Sequence, residues 1–145
     1  TVVAMLGAQG YGACVWAGDS RLYRLRNNEL VALSRDHSQV QRLVDAGVLS
    51  EDEAESHPQA NVITRAVGGA QALVVDVAMF DVQSGDRFLL CSDGLYNELS
   101  RDEIAARLGE GTVDAAAQSL IAQTLAHGAR DNVSVIVIEA GEAGS

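Results

Sequence analysis

The chain has 145 residues, 48% of them hydrophobic, and this length and composition predict one folded domain with a buried core. Its formal net charge of −10, without any run of lysine or arginine, argues against a protein that binds nucleic-acid backbones. No apolar segment has the length of a membrane span. Cys14 and Cys91 occur in strand-like apolar runs, as expected of reduced core cysteines in a cytoplasmic protein.

Short apolar segments in the first third of the chain predict β-strands. They are rich in β-branched and aromatic residues and are bounded by glycine or asparagine: TVVAML (1–6), GACVWAG (12–18), SRLYRLR (20–26) and ELVALS (29–34). Asn27-Asn28 predicts a tight hairpin turn between the last two, because asparagine tolerates the left-handed backbone conformation. We therefore expect these strands to pair in antiparallel fashion.

A polar segment from about residue 40 to residue 61 predicts short helices. Apolar residues recur at helical spacing from Val40 to Val48, and Ser50 with Glu53 forms a capping box that opens a second helix. The segment has few large apolar side chains, so we expect it to pack loosely and to move more than its surroundings.

The second half of the chain predicts three more strands and two longer helices. The strands are ALVVDVAMF (72–80), RFLLCS (87–92) and NVSVIVIEA (132–140). Ser100 with Glu103 caps a helix that runs to Leu108, and Thr112 opens another helix. Because the helices are grouped in blocks, the pattern predicts an antiparallel α+β fold and not a wound parallel sheet.

Three aspartates share one kind of setting. Asp19, Asp93 and Asp131 each lie beside a strongly apolar strand and next to small or amide residues. Magnesium and manganese prefer oxygen ligands, and two such ions about 3.5–4 Å apart can activate a shared water and hold a phosphoryl group. The pattern therefore favours metal-assisted phosphoester hydrolysis. Taken singly, an aspartate at a strand end is more often a turn or capping residue, and spacing does not show that the three converge.

Six motifs, in this order, give the chain a family resemblance: AGDSRLY (17–23), SRDHS (34–38), SHPQ (56–59), ITRAVG (63–68), GDRFLLCSDGL (85–95) and ARDNVSVIVI (129–138). Together they resemble the bacterial form of the metal-dependent protein phosphatase (PPM) family, protein phosphatase 2C. The resemblance implies a sandwich of two antiparallel sheets flanked by helices. It also implies hydrolysis of phosphoserine and phosphothreonine, on proteins phosphorylated by a serine/threonine kinase, by a water that bridges Mn²⁺ or Mg²⁺ ions.

The resemblance further implies roles for individual residues. Asp93 and Asp131 match ligands of one of the two central ions. Asp19 matches an aspartate that, together with the position of Asp93, holds a third and weaker ion. Residues 40–61 match a flap beside the active site. His57 in this flap is a candidate for substrate contact or proton transfer, although an exposed histidine without a role is the simpler interpretation.

The chain lacks the family's N-terminal motifs, including an Asp-Gly-x-Gly-Gly turn whose aspartate bridges both ions. It therefore resembles roughly the C-terminal two thirds of the enzyme, with the phosphatase domain over residues 1–139 and a tail over 140–145. Without the bridging carboxylate an ion is held weakly, and without the preceding strands sheet edges stay uncovered. We expect this segment alone to be inactive and poorly behaved.

Two other functions are compatible with parts of the pattern. One is a pseudophosphatase-like regulatory module that keeps the sandwich but has no turnover. The other is a Gly-Asp-Ser serine esterase with Ser20 as its nucleophile. The esterase requires a histidine base, which such enzymes usually carry in a C-terminal Asp-x-x-His, and that motif is missing here.

Overall fold

Seven strands form two antiparallel sheets in the computed structural model, which describes residues 1–142. The first sheet has the strand order β1-β2-β5 and the second has the order β4-β3-β6-β7. The strands are β1 (Val2–Ala8), β2 (Tyr11–Ala17), β3 (Arg21–Arg26), β4 (Glu29–Ala32), β5 (Asp76–Asp81), β6 (Arg87–Cys91) and β7 (Val135–Glu139). The helices are α1 (Gln39–Asp45), α2 (Glu51–Glu55), α3 (Asp93–Tyr96), α4 (Arg101–Gly109) and α5 (Val113–Ala126). The structure confirms the predicted α+β fold with two antiparallel sheets.

The first four strands form two hairpins that belong to different sheets. Asn27 and Asn28 have φ angles of 50° and 62°, and they join β3 to β4 as the sequence predicts. Strands β2 and β3 follow one another in the chain but do not pair, because the backbone crosses between the sheets at Gly18. Gly18 has a φ of 117°, and a Cβ at this position would lie 2.2 Å from the Thr1 side chain. Only glycine suits this crossing.

Strand β6 contributes to two separate cores. Phe88 and Leu90 pack with residues of β2 and β3 in a cluster between the sheets. Leu89 and Cys91 point the other way and pack under the helices, where Leu95, Ile104, Leu108 and Leu120 complete a second cluster. Because successive residues of a strand face opposite sides, a strand buried on both faces must be apolar at every position. This explains the unbroken run of apolar residues before Asp93.

The structure differs from the sequence predictions in the first residue of two strands and in one additional helix. Strand β5 begins at Asp76 rather than at residue 72, and the apolar residues just before it are exposed. Strand β7 begins at Val135, so that Asn132 lies in the connection that precedes it. Helix α3 was not predicted, because its first residues, Asp93 and Gly94, resemble a turn.

The segment that contains α1 and α2 is closed at its base by backbone hydrogen bonds. The Gln39 amide donates to the Val62 carbonyl oxygen over 2.9 Å, and the Thr64 amide donates to the His37 carbonyl oxygen over 2.8 Å. Helix α2 has the predicted capping box, and it buries none of its residues. At the other end of the chain, Ala140 makes backbone hydrogen bonds next to β6, while residues 143–145 of the expected tail lie outside the described residues.

One face of the first sheet is apolar and exposed. On it lie Leu6, Tyr11, Val77 and Met79, which we call the apolar sheet face, and their exposed fractions range from 59% to 71%. The register places Leu6 and Met79 on either side of Ala13, so these side chains form a continuous surface. Within residues 1–142, no helix is both long and apolar enough to span a lipid bilayer.

Candidate metal centre

Asp93 begins helix α3 directly after strand β6. The next residue, Gly94, lies against the backbone that follows Asp131: a Cβ at position 94 would lie 2.2 Å from the Asn132 carbonyl oxygen. Gly94 has no positive φ, so the need for glycine comes from this close approach and not from a turn. The Asp-Gly pair of the LLCSDGL motif therefore marks the place where two distant parts of the chain meet.

Two serines hold the segments of Asp93 and Asp131 together. The Ser92 amide donates to the Ser134 carbonyl oxygen over 3.1 Å, and the Ser134 amide donates to Ser92 Oγ over 3.0 Å. Asp131 Oδ1 accepts a hydrogen bond from the Asn132 amide over 2.7 Å, so the carboxylate stabilises its own loop. The structure thus brings the segments of two of the three predicted ligands side by side.

Asp19 is connected to the same region through helix α3. The Tyr96 hydroxyl donates to the Asp19 carbonyl oxygen over 2.6 Å. Burial raises the pKa of the Asp19 carboxyl, and the negative charge of Asp93 raises it further. Asp93 begins the helix that carries Tyr96, so the contact of Tyr96 with Asp19 brings the two aspartates to the same region. Asp19 and Asp93 therefore share an environment with an excess of negative charge.

The residues fit a divalent cation as part of a ligand set. Carboxylate oxygens are the donors that magnesium and manganese prefer, and a cation would favour the ionised form of Asp19 against the burial and the Asp93 charge that raise its pKa. Within residues 1–142, however, no three histidine, cysteine or acidic side chains are arranged as a complete metal site. Among the described residues, the carboxylates do not by themselves form a complete metal site.

Sequence reasoning did not find two groups of side chains that lie next to the segment of Asp19. Arg21 forms an ion pair with Asp36 through Nε and Nη2, and its guanidinium lies 3.6 Å from the centre of the Tyr96 ring. On the other side, His37 Nδ1 accepts a hydrogen bond from the Gly18 amide over 3.0 Å. These residues lie in quoted motifs, but no local pattern shows that they meet around residue 19.

The other candidate residues have local partners. His57 Nδ1 accepts from the Gln59 amide over 3.1 Å, and its role in the flap stays a prediction. The Ser20 hydroxyl lies 2.8 Å from the Thr1 hydroxyl, so it is not paired with a histidine base as an esterase would require. Arg65, in the ITRAVG motif, forms an ion pair with Asp76 at 2.8 Å.

A cleft of about 600 Å³ lies between α1 and α2 on one side and β4, α3 and the start of α4 on the other. Arg21, Asp36 and Tyr96 line it together with the more exposed Arg35 and Arg101. The cleft therefore has polar walls and reaches the side chains that support Asp19.

Comparisons with known proteins agree with the fold. The chain is 40% identical over 139 residues to the serine/threonine protein phosphatase PstP of Mycobacterium tuberculosis, covering 96% of the chain and 27% of PstP. It is 36% identical over 140 residues to the serine/threonine phosphatase Stp of Listeria monocytogenes, covering 96% of the chain and 56% of Stp. No protein-family model matches the chain.

Solved structures give the same result. The crystal structure of M. tuberculosis PstP superposes with a TM-score of 0.91 at 39% identity, covering 97% of the chain and 59% of the solved chain. A PstP catalytic domain in complex with two manganese ions gives a TM-score of 0.86 at 36% identity, covering 97% of the chain and 58% of that domain.

Solved proteins that share this antiparallel two-sheet sandwich are serine/threonine phosphatases, and one of them is in complex with two manganese ions. By sequence and by fold, the chain belongs to the PPM-type serine/threonine phosphatases. It spans 27% to 56% of the curated relatives described above, and 58% to 59% of the solved chains.

Proposed function

We propose that the complete protein containing this chain removes phosphate from phosphoserine and phosphothreonine on proteins, in a reaction that depends on Mn²⁺ or Mg²⁺. Similarity to enzymes named serine/threonine phosphatases supports the reaction class. The complex of the PstP catalytic domain with two manganese ions supports the choice of metal.

The observation that carries this proposal is the meeting of three distant segments at one end of the sandwich. Gly94 lies against Asn132, and Tyr96 donates to the carbonyl oxygen of Asp19, so that α3 links the segments of all three aspartates. We assign Asp93 and Asp131 to one central ion, and Asp19 with Asp93 to a third ion. Strand β6 is buried on both faces, and this rigid support suits the positioning of a ligand at its end.

Divalent ions at such a centre activate water and hold phosphoryl oxygens. The contribution of this chain is to hold the carboxylates in place before the ions arrive. Asp93 is fixed by the close packing of α3 on the loop of Asn132, and Asp131 by the hydrogen bonds between Ser92 and Ser134. Carboxylates on a preorganised backbone bind cations more tightly because less conformational entropy is lost on binding.

We further propose that residues 1–145 alone have no turnover. Among the described residues no three metal-binding side chains come together, so that a central ion would have too few charged ligands to offset its dehydration. The remaining ligands are expected in the part of the relatives that this chain does not span.

The proposal is tested by phosphate release from a phosphothreonine peptide with Mn²⁺. The complete protein is expected to be active and to be inhibited by EDTA, and Asp93→Asn and Asp131→Asn are each expected to lower kcat by about 100-fold or more, since an ion that activates the nucleophile loses a ligand. Asp102→Asn, which changes an exposed aspartate in the first turn of α4, is the matched control and should keep full activity.

The outcomes separate the alternatives. If the complete protein binds Mn²⁺ but releases no phosphate from any phosphopeptide, the pseudophosphatase-like regulatory module is favoured and the enzymatic proposal is wrong. If the isolated chain turns over at the rate of the complete protein, the proposed inactivity of the segment is wrong.

The proposed partners are phosphoproteins that a serine/threonine kinase has modified, and the proposed location is the cytoplasm. The location is supported by Cys14 and Cys91, which are buried free thiols. Burial raises the pKa of the Cys14 thiol to about 11 and that of the Cys91 thiol to about 12, so neither is reactive.

A further inference from the structure

The backbone of Gly18-Asp19 is held from both sides by side chains that do not touch the Asp19 carboxylate. The amide of Gly18 donates to His37 Nδ1 over 3.0 Å. The carbonyl oxygen of Asp19 accepts from the Tyr96 hydroxyl over 2.6 Å. A backbone unit fixed at both ends fixes the position of Cβ, and its φ and ψ angles limit the rotamers open to the Asp19 side chain.

The histidine arm is fixed by a chain of contacts. Because Nδ1 of His37 accepts from Gly18, its Nε2 carries the proton and donates to Asp76 Oδ2 over 2.9 Å. Arg65 holds the other oxygen of Asp76 over 2.8 Å, and the His37 ring lies nearly parallel to Trp16, with 6.0 Å between ring centres. The His37 side chain is largely buried, and together these contacts hold its ring in one position.

The tyrosine arm is fixed by Arg21. The guanidinium of Arg21 lies 3.6 Å from the centre of the Tyr96 ring and is oriented by three hydrogen bonds to Asp36. It also donates from Nη1 to the Tyr23 hydroxyl over 2.8 Å. Arg21 therefore packs on the face of the Tyr96 ring, and the Asp36 carboxylate and the Tyr23 hydroxyl fix the orientation of its guanidinium.

Both arms begin at neighbouring residues of the SRDHS motif. Asp36 supports Tyr96 through Arg21, and His37 contacts Gly18 directly. We propose that His37 and Tyr96 are positioning residues that hold Asp19 in the orientation in which its carboxylate binds a divalent ion together with Asp93. This inference rests on the proposed function, from which the assignment of Asp19 as a ligand is taken. It adds the residues that determine how tightly the protein binds that ion.

The test uses the complete protein and titrates it with Mn²⁺ alone by calorimetry, so that no turnover is needed. Asp19→Asn identifies the Mn²⁺ site in question as the one that it removes. Tyr96→Phe deletes only the hydroxyl that reaches Asp19 and is expected to weaken that site by roughly 2- to 10-fold, the effect of one hydrogen bond. Tyr11→Phe is the matched control: it deletes the hydroxyl of a tyrosine that is 66% exposed on the first sheet, and it should leave the affinity unchanged.

The histidine arm is tested by a pair of variants. His37→Phe keeps a ring against Trp16 but removes the acceptor for Gly18, and it is expected to weaken the same site by a similar factor. His37→Asn places an amide oxygen near the position of Nδ1, so it is expected to restore part of the affinity. If His37→Phe does not fold, the asparagine and tyrosine variants still decide the proposal.

A double variant separates positioning from general stability. In an Asp19→Asn background, Tyr96→Phe should no longer change Mn²⁺ binding, because its effect passes through Asp19. Equal weakening in both backgrounds overturns the proposal, as does unchanged affinity in Tyr96→Phe. A titration in which Asp19→Asn leaves every Mn²⁺ site intact also overturns it.

The proposed function can fail separately. If the protein has no phosphatase activity but its Mn²⁺ affinity falls in Tyr96→Phe and not in Tyr11→Phe, the positioning proposal is retained and only the assigned reaction is wrong. If the protein has full phosphatase activity but Tyr96→Phe leaves its Mn²⁺ affinity unchanged, the proposed function is retained and the positioning proposal is wrong.

Discussion

At the scale of single residues, two glycines and a buried aspartate are required by their surroundings. Gly18 crosses between the sheets with a positive φ, and Gly94 permits the contact between α3 and Asn132. Asp86 is 1% exposed and accepts hydrogen bonds from Arg26 and from the Gln83 amide. Each of these residues has a role that a conservative substitution would abolish.

Gly94→Ala is expected to destabilise the complete protein by about 1–3 kcal/mol, because the added methyl group would lie 2.2 Å from a backbone oxygen that cannot move without shifting the Asp131 loop. Urea unfolding measures the effect. Gly7→Ala is the control, since its Cβ would meet nothing closer than 3.9 Å. Equal stability of the two variants would contradict the close approach.

Asp86 predicts a pH dependence of stability. The hydrogen bonds from Arg26 lower the pKa of the Asp86 carboxyl below its usual value of about 3.9. A depressed pKa in the folded state gives stability that is complete above the unfolded-state value and is lost as the pH falls towards the folded-state value. Asp86→Asn should therefore be less stable than the wild type at pH 6, and the difference should shrink as the pH falls below about 4. Urea midpoints across this range measure it, and a constant difference would contradict the prediction.

At the scale of helices and strands, the two capping boxes have the same local chemistry but different surroundings. Ser50 caps α2, which buries no residue, whereas Ser100 caps α4, which buries Ile104 and Leu108. A cap contributes to global stability only if its helix unfolds together with the core.

Ser100→Ala is accordingly expected to lower the free energy of unfolding by about 1 kcal/mol. Ser50→Ala should leave the global value nearly unchanged and should instead speed amide hydrogen exchange within residues 51–55. Denaturant unfolding and exchange measured on both variants form a matched pair. A larger global effect for Ser50→Ala would show that α2 is part of the cooperative core.

At the scale of the whole molecule, the apolar sheet face determines how the isolated chain behaves. A monomeric protein rarely exposes a continuous apolar surface on an open sheet. We therefore expect residues 1–145 to self-associate in isolation, and further parts of the complete protein to cover this face.

Met79→Lys should reduce self-association of the isolated chain, as measured by sedimentation velocity, because it places a charge in the middle of the apolar sheet face. Leu125→Lys is the matched control, since Leu125 is similarly exposed, at 60% compared with 71% for Met79, but lies on α5. A chain that stays monomeric before any substitution would contradict the prediction.

Features with local causes could be predicted from the sequence. The capping boxes at Ser50 and Ser100 and the turn at Asn27-Asn28 depend on side chains within a few residues of each other. The antiparallel α+β class also followed from the grouping of strands and helices, and the two-sheet sandwich followed from the family resemblance.

Features with distant causes could not be predicted. Helix α3 resembled a turn because nothing near Gly94 shows that Asn132 packs against it. The separation of β2 from β3 depends on which strands pair later in the chain, and the link between Tyr96 and Asp19 joins residues 77 positions apart. The sequence beside the three aspartates indicated that they are candidate ligands. Only tertiary packing shows which residues hold them in place.

Strand β6 leaves little room for neutral change over evolutionary time. Its residues from Phe88 to Cys91 all fill a core, alternately on one side and on the other, so that any replacement disturbs one of two packed layers. Helix α2, at the opposite extreme, accepts almost any polar residue that keeps it helical. Divergence among homologous chains should therefore accumulate beside the cleft and spare the strand that leads to Asp93, which would allow new specificities to arise around an unaltered centre.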